Sequence, residues 1–168
     1  DTTASRTNHN WVKGTNTYLP RDISITFAKL VETKFHARFS ALSRRYVYLI
    51  RLGKYRSSLT GNYAMFFSSG LNVERMALAG LRLVGKHNFS AFRSSGCQAS
   101  SPIRTVKRLK IHQRDDLVAL DIEANGFLQN MVRNIVGVLI AVGAGKKDVS
   151  WVSWVMESKD RRCAGITA

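Results

Sequence analysis

Apolar and polar residues along the chain fall into a few readable periods. Residues 44–51, "RRYVYLIR", are aromatic and β-branched and alternate in part, which predicts a strand. Residues 52–71, with "SSLTGNY" and "SSG", are polar and read as a loop. Asn72 is placed to cap a helix from about Val73 to Val84, with Met76, Gly80 and Leu83 on one face. The Ser-rich stretch "GKHNFSAFRSSGCQASSP" reads as a second loop. "IRTVKRLKIHQ" and "LVALDIEA" then predict two strands joined at "RDD", close enough to pair as a hairpin. In the second of these, Val118, Leu120 and Ile122 share one face, and Ala119, Asp121 and Glu123 the other. A helix is expected from about Phe127 to 145 and a shorter one over 148–158. Residues 1–34 hold short apolar runs around the turn signal "YLPRD", and His9 falls in a terminus expected to be flexible. Strands followed by helices, with antiparallel neighbours, give an α+β class.

One of these patterns is out of character. "GFLQNMVRNIVGVLIAVGAG" is apolar from Ile135 onward, yet Arg133 stands in its middle beside Gln129, Asn130 and Asn134. As a membrane span it would carry an arginine worth roughly 2.5–3.5 kcal/mol against insertion, so a helix buried in a protein core is expected, with no membrane segment. A buried arginine keeps its proton and needs an anion or several acceptors. Two partners are open: a core carboxylate such as Asp121, or a ligand or catalytic carboxylate. Without either, the buried cation would cost local stability.

Charge changes the picture further. Lys and Arg number 26 against 11 Asp and Glu, a formal net charge of +15 on 168 residues. A folded, aromatic-containing chain this basic points to a polyanionic partner, nucleic acid first. The basic residues are spread over Arg38, Arg44, Arg45, Arg51, Lys54, Arg56, Arg104, Lys107, Arg108 and Lys110. Phe35, Phe39, Tyr46, Tyr48, Phe89 and Phe92 interleave with them, and a tyrosine beside arginines can stack on an unpaired base. Taken singly, each of these charges is more often a solvated surface group, and at least one of Tyr46 and Tyr48 packs in the sheet.

Cys97 and Cys163 form no C-x-x-C pair and read as free thiols of a reducing compartment, so a cytoplasmic protein is expected. The histidines have no metal-ligand spacing, and no P-loop, G-x-S-x-G or H-E-x-x-H occurs. No metal or cofactor is expected. The chain opens on "DTTA" without a Met and closes on "CAGITA", and it reads as a fragment.

Several stretches together resemble one family. "NTYLPRDI", "FHARFSALSRRYVYLI", "HNFSAFRSSGCQASSPIRTV", "DIEANGFLQNMVRNIVGVLIAVG" and "AGITA" are similar to the TruA-type tRNA pseudouridine synthases, in that family's order and over most of the chain. The resemblance implies the pseudouridine synthase fold, an α+β sheet, mostly antiparallel, with helices on one face and two ferredoxin-like halves. It implies conversion of uridine to pseudouridine at positions 38, 39 and 40 of the tRNA anticodon stem-loop, without cofactor or metal, by a homodimer with a basic cleft. Tyr46 matches the tyrosine that stacks on the target base and takes part in proton handling. Arg133 matches the basic residue paired with the catalytic aspartate, and Arg38, Arg44, Arg45, Arg104 and Lys107 are candidates to bind RNA.

The family's G-R-T-D-A-G-V-H segment, which carries that aspartate, is not in this sequence. The resemblance therefore makes residues 1–34 the tail of an amino-terminal half and 35–168 a carboxy-terminal half lacking its last strand. The chain alone is expected to be inactive. The alternatives are a non-catalytic RNA-binding module and a basic nucleic-acid-associated protein of another fold.

Overall fold

The computed structural model describes residues 4–68 and 70–168, and divides the chain into two compact units, one through Ala41 and one from Leu42 to Ala168.

In the first unit, helix α1 covers Asn8–Tyr18, where only short apolar runs were expected. Thr7 caps it, its side chain accepting from Asn10 N–H. Pro20 ends it, because a residue before proline is driven out of the helical region, and Leu19 is extended at φ −79°, ψ 147°. His9 is therefore helical. No α1 residue is buried, so the helix has no apolar stripe for the sequence to display. Asn16 then clasps Ile25 through both main-chain groups, at 2.9 and 2.8 Å.

The second unit holds a five-stranded sheet in the order β2-β1-β5-β4-β3. Its strands are β1 Arg44–Leu52, β2 Met65–Phe67, β3 Gly85–Asn88, β4 Ile103–Arg114 and β5 Leu117–Ala124. The hairpin is β4–β5, turning through Asp115 and Asp116 with Asp115 at φ 53°, a left-handed conformation that Asp tolerates. β1 lies antiparallel to β5, and β2 lies parallel to the end of β1. The sequence pattern of both β2 and β3 is that of a loop. They are edge strands of three and four residues, too short for an alternation to show, and their extended form is imposed by the neighbour they pair with.

The sheet's faces divide as the alternation requires. Val118, Leu120 and Ile122 are fully buried, and opposite them on β1 lie Ile50, Tyr48 and Tyr46. Helices α2 Val73–Leu81 and α3 Met131–Gly143 close this face, bringing Met76, Ala79, Ile135, Leu139 and Val142 into one core with the strands. Asn72 caps α2 as expected, accepting from Arg75 N–H at 2.8 Å. The approach is close: a Cβ on Gly80 would sit 2.6 Å from Leu109 Cδ2. α3 begins four residues later than expected, because Asn130 takes a left-handed turn at φ 58° before it. α4 spans Trp151–Ser158. The architecture is the expected α+β class, compatible with the pseudouridine synthase fold.

Candidate nucleic-acid interface

One end of the sheet gathers cations around an aromatic ring. Tyr46 lies near the start of β1, on the core side but beyond the helices' cover, and is 52% exposed. Phe127, just past β5, meets it edge-on with ring centroids 5.3 Å apart and planes at 74°. The neighbouring Gly126 brings two guanidinium groups close: a Cβ there would lie 3.6 Å from Arg44 Nη1 and 3.7 Å from Arg104 Nε. Arg104 is anchored at the start of its own strand, donating to the Ser101 carbonyl just before it at 2.9 Å and to the Ile103 carbonyl at 2.6 Å. The loop is fixed by a reciprocal pair, Thr105 N–H to Asn125 Oδ1 and Asn125 N–H to Thr105 O. Lys107 stands at an irregularity between Val106 and Arg108, which turns it outward, with Nζ 3.5 Å from the Leu42 carbonyl. Guanidinium groups beside Gly126 and a half-exposed ring on Phe127 suit a polyanion with an unpaired base.

The other candidates are placed differently. Arg45 falls on the opposite face of the sheet from Tyr46. There it donates two hydrogen bonds to Asp121, at 2.7 and 2.8 Å, while Arg108 donates a third at 2.9 Å. The Arg45 hydrogen bond holds the Asp121 carboxyl below its ordinary value, opposed by burial and assisted by Arg108 and His112. Arg38 belongs to the first unit, in a turn where His36 Nδ1 accepts from the Arg38 and Phe39 N–H groups. Phe89 and Phe92 are wholly buried core residues and Tyr48 packs against the core, so none of the three offers a ring to RNA.

Arg133 corrects the sequence reading. It is exposed, not buried, and its partner is not Asp121. Each residue of an α-helix advances about 100°, so Arg133 points roughly opposite to Met131, Ile135, Val138 and Val142, which face the core. Its Nε donates to the Ala168 main-chain oxygen at 2.5 Å, and Ala168 N–H returns a bond to the Arg133 carbonyl at 3.2 Å. An exposed guanidinium can be hydrated, so the cost expected for an unpartnered buried cation does not arise.

The buried polar residue here is Asn134. It donates to the Phe92 carbonyl at 2.8 Å and accepts from Thr167 Oγ and Arg161 Nη2 at 2.7 and 3.0 Å. Arg161 escaped the sequence reading, since nothing in "KDRRCAG" separates it from Arg162. Gln129 and Asn130 reach still other partners, Cys97 Sγ and Ser94 Oγ. The main-chain N–H groups of Gln129 and Ala99 hold the Cys97 thiol below its ordinary value, against burial, with Arg93 assisting. Cys97 and Cys163 are free thiols. Among the described residues no three His, Cys, Asp or Glu side chains are grouped to hold a metal, and no helix is long and apolar enough to cross a membrane.

Comparison with known proteins places the sequence among relatives of one kind. The sequence model of a family described as tRNA pseudouridine synthase matches residues 79–168. A protein of Coxiella burnetii named tRNA pseudouridine synthase A is 43% identical over 167 residues, covering 99% of this chain and 64% of its own length. Proteins of the same name from Pseudoalteromonas atlantica and Aliivibrio fischeri are 45% and 42% identical over all 168 residues, again 64% of their length. The chain thus spans just under two thirds of the relatives it matches, and the family model covers more than half of the chain, including the β4–β5 hairpin, Arg104 and Arg133. By these matches, the chain belongs to the tRNA pseudouridine synthase family.

Proposed function

We propose that the protein carrying this chain isomerises uridine to pseudouridine in tRNA, at positions 38, 39 and 40 of the anticodon stem-loop. The base is detached at its glycosidic nitrogen, turned, and rejoined to the ribose through carbon. No step calls for a cofactor or a metal. The observation that carries the reading is the half-exposed Tyr46 ring, braced by Phe127, with Arg44 and Arg104 beside the adjoining Gly126, in a chain whose relatives are named tRNA pseudouridine synthase A.

Tyr46 stacks on the target base, and its hydroxyl takes part in proton transfer. Arg44, Arg104 and Lys107, with Arg38 from the first unit, bind RNA phosphates. Arg45, tied to Asp121 on the other face, is left out of this contact set. Arg133 offers its exposed guanidinium to the nucleophilic aspartate, which a G-R-T-D segment outside this sequence supplies. Such a contact keeps the carboxylate ionised and oriented for attack. The active protein is a homodimer in the cytoplasm.

The test is to incubate the protein as the cell makes it with unmodified tRNA and map pseudouridine base by base. Conversion confined to positions 38–40 is expected. Tight tRNA binding with no conversion would overturn the enzyme reading in favour of an RNA-binding module. The 168-residue chain by itself is expected to bind tRNA and convert none, since Asp121, the most buried acid among the described residues, is occupied by Arg45 and Arg108 away from Tyr46.

A further inference from the structure

We propose that residues 165–168 act as a strap that sets the direction of the Arg133 guanidinium, and that Asn134, Gly137, Arg161 and Thr167 are positioning residues acting through it. The inference rests on the role given to Arg133 above.

The strap touches Arg133 twice. Ala168 N–H bonds to the Arg133 carbonyl, and Arg133 Nε–H bonds to the Ala168 oxygen. A guanidinium is planar, so a fixed Nε–H direction also limits where the other nitrogens point. With Nε engaged, the end-on pair Nη1 and Nη2 is left to meet two oxygens of a carboxylate or phosphate. Among the described residues, Arg133 makes no other side-chain hydrogen bond. An exposed arginine without the strap would sample many rotamers, few of them productive.

The strap is itself held from several sides. Thr167 Oγ donates to the buried Asn134 Oδ1 at 2.7 Å, and Arg161 Nη2 meets Thr167 Oγ at 2.6 Å and Asn134 Oδ1 at 3.0 Å. Arg161 Nη1 donates to the Gly165 carbonyl at 2.8 Å. Asn134 is in turn fixed to the Phe92 carbonyl, so the arrangement reaches the core. Gly137, one turn along α3 from Arg133, is where the strap lies closest: a Cβ there would stand 1.9 Å from the Ile166 oxygen. That atom is main chain, so any larger residue must push the strap off the helix. Gly165, at φ 67°, starts the strap in a conformation open to glycine.

The experiment uses the protein as the cell makes it, with Gly137→Ala, Thr167→Val, Thr167→Ser and Arg133→Lys. Single-turnover pseudouridine formation, tRNA affinity and thermal melting are measured for each. Displacing a catalytic contact by about 1 Å can cost roughly 10²-fold in rate. Gly137→Ala and Thr167→Val are therefore expected to slow conversion by about 10- to 100-fold, with tRNA affinity within about threefold of wild type. Thr167→Ser keeps the hydroxyl and is expected to restore the rate. Wild-type rates in Gly137→Ala and Thr167→Val, beside an inactive Arg133→Lys, would overturn the strap and leave the role of Arg133 standing. Full activity in Arg133→Lys would instead remove that role. A loss that follows unfolding or weaker tRNA binding, and that Thr167→Ser does not relieve, would reduce the strap to a structural element and overturn the proposal.

Discussion

Replacing Tyr46 separates stacking from chemistry and from folding. The ring is 52% exposed and its hydroxyl makes no hydrogen bond among the described residues. Tyr46→Phe keeps the edge-on contact with Phe127, so its stability should stay within about 0.5 kcal/mol of wild type. Tyr46→Ala loses that contact, worth about 0.5–1.5 kcal/mol beyond burial. It also loses about half of the 1.5–3 kcal/mol of a fully buried large side chain, so a destabilisation of about 1–3 kcal/mol is expected. On RNA, a stacked base contributes about 1–3 kcal/mol, which Tyr46→Ala should forfeit as a roughly 5- to 140-fold weaker tRNA complex. Tyr46→Phe should bind within about twofold of wild type and yet convert uridine more slowly, because only the hydroxyl is gone. Urea unfolding, tRNA titration and single-turnover conversion on the three proteins give three independent readings. If Phe and Ala variants bind tRNA equally while only Ala is destabilised, the ring serves Phe127 and not a base, and the placement of the interface fails.

Three further outcomes test other parts of the molecule. Affinity for an anticodon stem-loop should fall by roughly 10³–10⁵ between about 50 and 200 mM salt if 6–10 phosphates are neutralised, and a flat response in a filter-binding titration would rule out a phosphate-tracking surface. Gly80→Ala places a Cβ 2.6 Å from Leu109 Cδ2, so overpacking of about 1–3 kcal/mol should exceed the gain of about 0.8–1.0 kcal/mol in helix propensity. Adding Leu109→Ala should relieve that clash, and strictly additive unfolding energies in the double-mutant cycle would deny it. Asp121 titrates below its usual 3.8 in the folded chain, so it stabilises the fold above that pH, and the contribution disappears as pH falls through its folded value. Asp121→Asn should therefore weaken the fold at pH 7 and flatten the loss of stability below about pH 4, whereas an unchanged acid limb in urea titrations would show that the pair with Arg45 and Arg108 adds nothing.

Local rules carried far in this chain. The alternation in "LVALDIEA" identified the buried face of β5, and the short "RDD" link identified the hairpin, since period and turn length are properties of a few adjacent residues. Asn72 marked the start of α2 because a cap satisfies N–H groups only three residues away. The excess of cations, and Tyr46 among arginines on a strand, were equally plain, and so was the family resemblance.

What the sequence by itself could not determine was which distant group arrives at a given side chain. α1 was missed because it buries nothing, and β2 and β3 because edge strands so short take their shape from a neighbour. The apolar run around Arg133 suggested burial, but helical phase turned that one position away from the core while Asn134, its neighbour, went in. The sequence leaves Asp121 open as a partner for Arg133. Tertiary structure gave it to Arg45, 76 residues away, and to Arg108, and gave Arg133 to Ala168 instead. Periodicity says which way a side chain points. Only the packing of residues far apart in the chain decides what meets it, because a hydrogen bond depends on a few ångströms of separation that no local pattern encodes.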